Sequence, residues 1–487
     1  YVPATTSLTV TKEWKGGDSG NNSINFKLYK TVGGTKTLVK NGDSETFTVA
    51  KKSSNWEPCI ISKLPVYENG QQITYSVEEV TVSGYNTTYS GTYQAAENDN
   101  GGAITITNTI TGDGNITVTK VWADNENQDG LRDNIEVQLQ QKVGSDGTWR
   151  AATNMSASQA AIKTLATGDN HDQQLTYTWN AVPLYDANGS AIYYRVVELT
   201  TINGYTTAYS VGDTVIANYN TDDYVGGIGP KDVNRAVTIT NTHTPETVKL
   251  QVEKTWVGDK DTNFDVTSNR ERLTFKVEGK VNDAVIATGT ATINVDKTET
   301  VQTADLKTAE GKDLPKYHNG KPIIYTITET NVPDGYTVTY NDQTYTTPTR
   351  NAIVAFFSSL LKDEPADTVD YTFKATNTLQ TGEFSFTKEY NGTEPTNKAK
   401  FTLVASSPVN TGIAPKTIEA GKDNQYTLDD LKYGVIYRVE ETSVPNGYEK
   451  APVFYLQLEK DGNGKYVVKA YDGRLNEVTT AQTVTKD

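Results

Sequence analysis

A lysine, a glutamate and an asparagine recur along the 487-residue chain in places where a side chain should face inward. In "LTVTKEW" (8–14), Leu8, Val10, Lys12 and Trp14 share one strand face, because strand side chains alternate between two faces. In "ITYSVEE" (73–79), Tyr75, Val77 and Glu79 share a face; in "AITITNT" (103–109), Asn108 is in phase with Ile104 and Ile106. A lone lysine on an apolar strand face usually lies near a rim and extends its ammonium to water. Three such polar residues on three different strands need another reason.

Burying an unpartnered charge is costly, and such groups tend to neutralise: an ammonium loses its proton and a carboxylate gains one. A buried Lys–Glu pair can rest as an ion pair, with asparagine as a third hydrogen-bonding partner. It can also react. Neutral lysine Nζ would attack the asparagine side-chain carbonyl while the protonated glutamate polarises that carbonyl and then shuttles protons so that ammonia leaves. The product is a Lys–Asn isopeptide bond. A carboxamide is a poor electrophile in water, so this chemistry needs proximity and a dry site, both supplied by folding.

The elements that must position these groups repeat. The lysine stretch returns as "ITVTKVW" (116–122), "LQVEKTW" (250–256) and "FSFTKEY" (384–390). The glutamate stretch, "ITYSVEEVTVSGY" (73–85), returns as "IYYRVVELTTINGY" (192–205), "IIYTITETNVPDGY" (324–336) and "VIYRVEETSVPNGY" (435–448). The asparagine stretch returns as "AVTITNT" (236–242) and "FKATNT" (373–378), always in the same order. Four modules result, over 1–111, 112–245, 246–380 and 381–487, each long enough for its own core. Short alternating runs between Gly, Asn and Asp turn signals predict antiparallel β-sandwiches.

The order Lys in "TVTKVW", Glu in "YRVEETSVPNGY" and Asn in "TITNT", with "VTKVWADNENQDGLRDNIEVQLQ" (118–140), resembles the collagen-adhesin B-type (Cna B-like) domains of Gram-positive surface adhesins and pilins. The resemblance covers essentially the whole chain. It implies an all-β fold of four tandem immunoglobulin-like sandwiches in an elongated rod, the first three bridged by a spontaneous isopeptide bond. The carried-over cross-links are Lys12 to Asn108, Lys120 to Asn241 and Lys254 to Asn377, promoted by Glu79, Glu198 and Glu329. The fourth module keeps Lys388 and the promoting Glu441, but its last stretch, "AQTVTKD", has Lys486 where asparagine should stand; the partner lies beyond this stretch, or Asn476 substitutes for it, or the bond is absent, which is the favoured reading.

Composition narrows the function. A net charge of −15 argues against nucleic acid or an anionic membrane as partner, because phosphate binding needs a cationic surface. One cysteine, Cys59, cannot build a disulfide framework within the chain. No run reaches transmembrane length, and the chain starts without a signal peptide and ends without a sorting motif, so it reads as a mature part of something larger. "GPKD" (229–232) is a thin candidate for a pilin polymerisation motif and reads better as a surface turn.

Three further stretches stand out. "NENQDGLRDNIE" (125–136) places Asn125, Asn127, Asp129, Gly130 and Glu136 at loosely calcium-loop spacing, but without the first Asp and between strands; a polar loop is the preferred reading. "NAIVAFFSSLLKDEP" (351–365) puts Ile353, Phe356, Phe357, Leu360 and Leu361 on one helical face, predicting a helical insertion over 351–363 in the third module. "SASQAAIKTL" (156–165) is a weaker helical candidate. His171, His243 and His318 have no metal-ligand spacing, so neither metal nor cofactor is expected.

The expected function is structural: the stalk or pilin-type portion of a Gram-positive adhesin, extracellular and tied to the cell wall through regions outside this chain. The alternative is a binding module in which one domain recognises a host extracellular-matrix protein or glycan. Other modules or pilus subunits are further expected partners. No enzyme is expected, since the cross-linking is intramolecular and happens once.

Overall fold

Alternation of apolar and polar residues, broken by Asn, Asp and Gly turns, produces strands throughout. The computed structural model describes residues 3–18, 20–153, 155–156, 158–165, 175–232, 234, 236–349 and 368–479. The helix expected over 351–363 falls outside the described residues, as do His171 and Lys486. The chain divides into two compact units, one of residues 1–126 with 131–244, the other of 127–130 with 245–487.

The first unit holds two sandwiches. One sheet of the first module runs in the order Tyr85–Tyr89, Gly102–Ile110, Thr5–Lys15, Cys59–Pro65. Its partner sheet carries Thr74–Glu79 beside Ser23–Val32, which in turn pairs with Phe47–Lys52. Between them Leu8, Val10, Ile104 and Ile106 pack against Phe26, Leu28, Tyr75 and Val77. The second module repeats the plan. Leu175–Pro183, Asp113–Ala123, Ala236–Thr242 and Thr206–Val211 form one sheet, and Ile135–Val143 with Ile192–Glu198 anchor the other.

Its Ala/Ser-rich stretch departs from the sequence expectation. Ile162–Leu165 is a strand, paired antiparallel with Ile135–Gln138, and not a helix. An isolated helix this short is marginal, whereas the neighbouring strand offers a full ladder and a buried seat for Leu165.

In the second unit the third module places Val301–Leu306, Leu250–Val257, Tyr371–Leu379 and Tyr336–Tyr340 in one sheet. Ala284–Ile293, Leu273–Val281, Ile324–Glu329 and Thr344–Thr346 form the other. The fourth module differs. Among the described residues the strand that leads into Lys388, Thr381–Thr387, pairs with Gln425–Lys432 alone, while five strands from Lys416–Glu419 to Tyr466–Tyr471 make the second sheet.

One pairing sets the position of the candidate reactive groups. In the first three modules the opening and closing strands are parallel neighbours, in one register: Lys12 lies opposite Ile106 and Trp14 opposite Asn108. Lys120 and Trp122 face Ile239 and Asn241 in the second, and Lys254 and Trp256 face Ala375 and Asn377 in the third. Lysine and asparagine therefore sit on the same inward face of adjacent strands, two residues out of step.

Each core is close-packed, so the modules should be sensitive to truncation. Trp179 is fully buried and donates its indole N–H to Ala160 O at 2.9 Å. Trp179→Ala should cost the second module about 3–5 kcal/mol, seen in calorimetry as one transition moving to lower temperature while the others stay in place.

Candidate functional site

Each triad is assembled across the sandwich. Lysine and asparagine come from one sheet, and glutamate reaches in from the facing sheet along the row started by Tyr75 and Val77, Tyr194 and Val196, or Tyr325 and Ile327. In the first module the Lys12 and Glu79 side chains are fully buried, Nζ lying 3.9 Å from Oε1. Asn108 Nδ2 donates to Glu79 Oε1 at 3.1 Å and Thr87 Oγ1 donates to Oε2 at 2.7 Å. Lys12 Nζ itself donates to the carbonyls of Glu13 and Ile106, at 2.8 and 3.3 Å.

The second module places Lys120 Nζ 3.7 Å from Glu198 Oε2, and Asn241 Nδ2 donates to Oε1 at 2.8 Å. In the third, Lys254 Nζ donates to Glu329 Oε2 at 2.9 Å and Asn377 Nδ2 to Oε1 at 2.7 Å. The structure thus gathers all nine predicted residues of the first three modules into three buried Lys–Glu–Asn clusters.

Two electrostatic features accompany them. Burial pulls the ammonium of Lys12, Lys120 and Lys254 down to about 8 in each case, against the opposing pull of the partner glutamate. The side-chain oxygens of Asn108, Asn241 and Asn377 are buried and accept no hydrogen bond from the described residues. A buried polar atom left unpaired in three equivalent places calls for an explanation. Turning each amide over would set its oxygen against the carboxyl group, an arrangement that is favourable only if the carboxyl carries a proton. Amide orientation and carboxyl protonation are therefore linked at these sites.

The fourth module keeps half of this arrangement. Lys388 Nζ donates to Glu441 Oε1 at 2.7 Å, and the Ala451 N–H fills Oε2 at 2.6 Å. Asn476 is exposed and spends its amide on Asp472, at 3.1 Å to Oδ2, within a turn. It is not brought to Glu441. Among the described residues this module has an ion pair and no electrophile.

Sequence reasoning missed the lids. The tyrosine that closes each "GY" stretch meets the aromatic ring two residues after the lysine, edge to face. Trp14 and Tyr85 have centroids 4.8 Å apart, Trp122 and Tyr205 5.2 Å, Trp256 and Tyr336 5.0 Å, Tyr390 and Tyr448 5.0 Å. Gly84, Gly204, Gly335 and Gly447 all have φ between 81° and 86°, the left-handed backbone that turns each tyrosine back. The lysine nitrogens lie 4.0, 4.2 and 5.1 Å from the rings of Trp14, Trp122 and Trp256. The "GY" repeat was the available signal. Beside the lid, Arg132 grips Asp124 and Arg270 grips Asp259 through paired hydrogen bonds, and Tyr205 and Tyr336 donate to those same carboxylates.

The remaining candidates are spent on structure. The Asp129 carboxylate accepts the Glu246 N–H at 2.9 Å, and Glu136 lies exposed on its strand. His243 Nδ1 donates to Gly204 O at 2.7 Å, and "GPKD" forms a turn closed by the Asp232 N–H on Gly229 O. Among the described residues no three His, Cys, Asp or Glu side chains are grouped to hold a metal, and no helix is long and apolar enough to cross a membrane.

Comparison with known proteins agrees with this geometry. The Cna protein B-type domain family matches residues 8–109, 116–242 and 250–352. The fourth module, expected to be a further copy, matches a different description, the prealbumin-like fold domain, over 382–472. The collagen adhesin of Staphylococcus aureus is 31% identical over 349 residues, which is 70% of this chain and 23% of that protein. The chain thus spans about a quarter of that relative's length. Two B repeat units of the S. aureus collagen binding protein share 25% identity, covering 96% of this chain and 99% of theirs, with a TM-score of 0.33. The pilus adhesin SpaC of Lactobacillus rhamnosus GG shares 17% identity over 99% of this chain and 54% of its own, with a TM-score of 0.25. With three copies of its domain spread over most of the sequence, the chain belongs to the Cna B-type domain family.

Proposed function

We propose that this chain is a stalk or pilin-type segment of a Gram-positive surface adhesin, stiffened by Lys12–Asn108, Lys120–Asn241 and Lys254–Asn377 isopeptide bonds. The observation that carries the reading is the threefold recurrence of one buried cluster, with a depressed lysine, a carboxyl group from the facing sheet and an asparagine oxygen lacking a partner. In each cluster the lysine ammonium passes a proton to the glutamate, and neutral Nζ then adds to the asparagine Cγ. The protonated carboxyl holds the amide oxygen through the tetrahedral stage. The carboxyl gives its proton to the departing nitrogen and takes one from the attacking nitrogen, the old Cγ–Nδ2 bond breaks, and one ammonia leaves per bond, with the remaining proton left on the glutamate. The tryptophan–tyrosine lid keeps water from the site and from the finished amide.

The mechanical consequence comes from where the ends lie. A link between Lys12 and Asn108 closes a loop worth about 4–5 kcal/mol in the chain-entropy account of cross-links. Force entering the opening strand crosses directly to the closing strand, so the residues between them are never stretched. An amide, unlike a disulfide, also survives reduction. The fourth module, where Lys388 meets Glu441 with no asparagine amide beside them among the described residues, is read as unlinked. For the longer protein, the collagen adhesin relative makes a host matrix protein or glycan the reasonable partner, and cell-wall attachment the reasonable setting.

Intact-mass measurement of the full chain should show a deficit of three ammonias. Glu329→Ala should restore one of them and make the third module cleavable by protease; a wild-type mass equal to the sequence mass would sink the cross-linking reading.

A pH test gives the second check. Asn377→Ala cannot link and leaves Lys254 buried as an amine. Because its folded value of about 8 lies below the unfolded lysine value, the unfolded chain binds more protons between the two. The variant's urea midpoint should therefore be lowest and flat below about pH 8 and rise toward the ordinary lysine range. Wild type, with no free amine there, should show no such rise in the third module.

A further inference from the structure

The three clusters differ in the residue opposite the asparagine. Opposite each asparagine, on the neighbouring antiparallel strand, stand Thr87 in the first module, Thr207 in the second and Val338 in the third. Thr87 places its hydroxyl 2.7 Å from Glu79 Oε2, occupying the carboxyl oxygen that receives lysine in the third module. Lys12 lies 3.9 Å from Glu79 and gives its hydrogens to two main-chain carbonyls; Lys120 lies 3.7 Å from Glu198 with no hydroxyl on that oxygen. Where valine replaces threonine, Lys254 lies on Glu329 at 2.9 Å. Thr207 is exposed, and Glu198 Oε2 accepts no hydrogen bond from the described residues, so a threonine in this register does not by itself occupy the carboxyl.

We propose that Thr87 is a positioning residue that holds the Glu79 carboxyl against its own hydroxyl, keeps Lys12 out of proton-transfer contact and so delays the first module's bond relative to the third's. The proposal rests on the cross-linking reading. The physical basis is distance. Passing a proton from ammonium to carboxylate requires a charge-assisted hydrogen bond of about 2.7–2.9 Å, which Lys254 already makes and Lys12 does not. No co-reactant enters; the same proton moves along the same path once the hydroxyl yields its place. Thr87 gives its hydroxyl to Glu79 and acts through that carboxyl.

The test tracks bond formation in full-length chain made by cell-free synthesis, quenched at intervals and digested, with the linked peptide of each module quantified by mass spectrometry at several pH values. Thr87→Val should speed the Lys12–Asn108 link several-fold, and Thr87→Ser, which retains the hydroxyl, should keep the wild-type rate and pH profile. Val338→Thr should slow the Lys254–Asn377 link, while Thr207→Val should leave the second module unchanged. If wild type links all three modules and neither the Thr87→Val nor the Val338→Thr exchange alters rate or pH profile, the role of Thr87 is overturned and the cross-linking reading stands. If wild type forms no linked peptide in any module, both fall. Should Thr87→Val fold poorly, Val338→Thr decides alone.

Discussion

Everything in the first three modules turns on one constraint: a lysine and a carboxylate share a dry space between two sheets. Neither group would be placed there for stability alone, since a buried ion pair often does no better than apolar residues of the same volume. The sandwich accepts them because the rest of each strand face is apolar, and because the glutamate arrives from the opposite sheet to meet a lysine that cannot reach water. Burial weakens the ammonium, the carboxyl keeps it from losing its proton outright, and the asparagine amide is the third group in reach. The fourth module marks the boundary of this logic. Its Lys388 and Glu441 form the same contact, yet among the described residues a main-chain N–H takes the place of the amide.

The lids explain why the clusters stay dry at the end of a strand, where lysine would ordinarily turn outward. A tryptophan two residues on lies beside the lysine nitrogen, and a tyrosine supplied by a left-handed glycine turn closes against it. Edge-to-face pairs of this kind contribute about 0.5–1.5 kcal/mol beyond their buried area. Their larger effect is to exclude solvent. In the second and third modules an arginine gripping an aspartate fastens the tyrosine hydroxyl as well; such a grip requires Asp124 and Arg132, or Asp259 and Arg270, on one loop.

Much of this could be read from the chain itself. A period of two makes the phase of Lys12, Glu79 and Asn108 unambiguous, and recurrence separates a site from a rim residue. What could not be read depends on neighbours brought together only by folding. Thr87 and Val338 are unremarkable in sequence and become comparable only once each is seen opposite an asparagine. The "GY" pairs were visible as a pattern without a partner. The stretch 156–165 looked helical because its alanines favour helix, and the ladder that Ile135–Gln138 offers to Ile162–Leu165 decided the matter. The departure of the fourth module was visible at Lys486, but its different sheet plan was not.

The parallel pairing of opening and closing strands has a topological result. Two neighbouring strands running the same way admit the chain at one pole of a module and release it at the other. Only two residues separate Ile110 from the next module's first strand at Asp113, and one separates Leu379 from Thr381. An added or deleted copy would therefore need no rerouting of the backbone and no longer linker. Such a design lets copy number vary between related chains by in-frame duplication, with each new copy arriving with its own sandwich core and its own parallel strand pair.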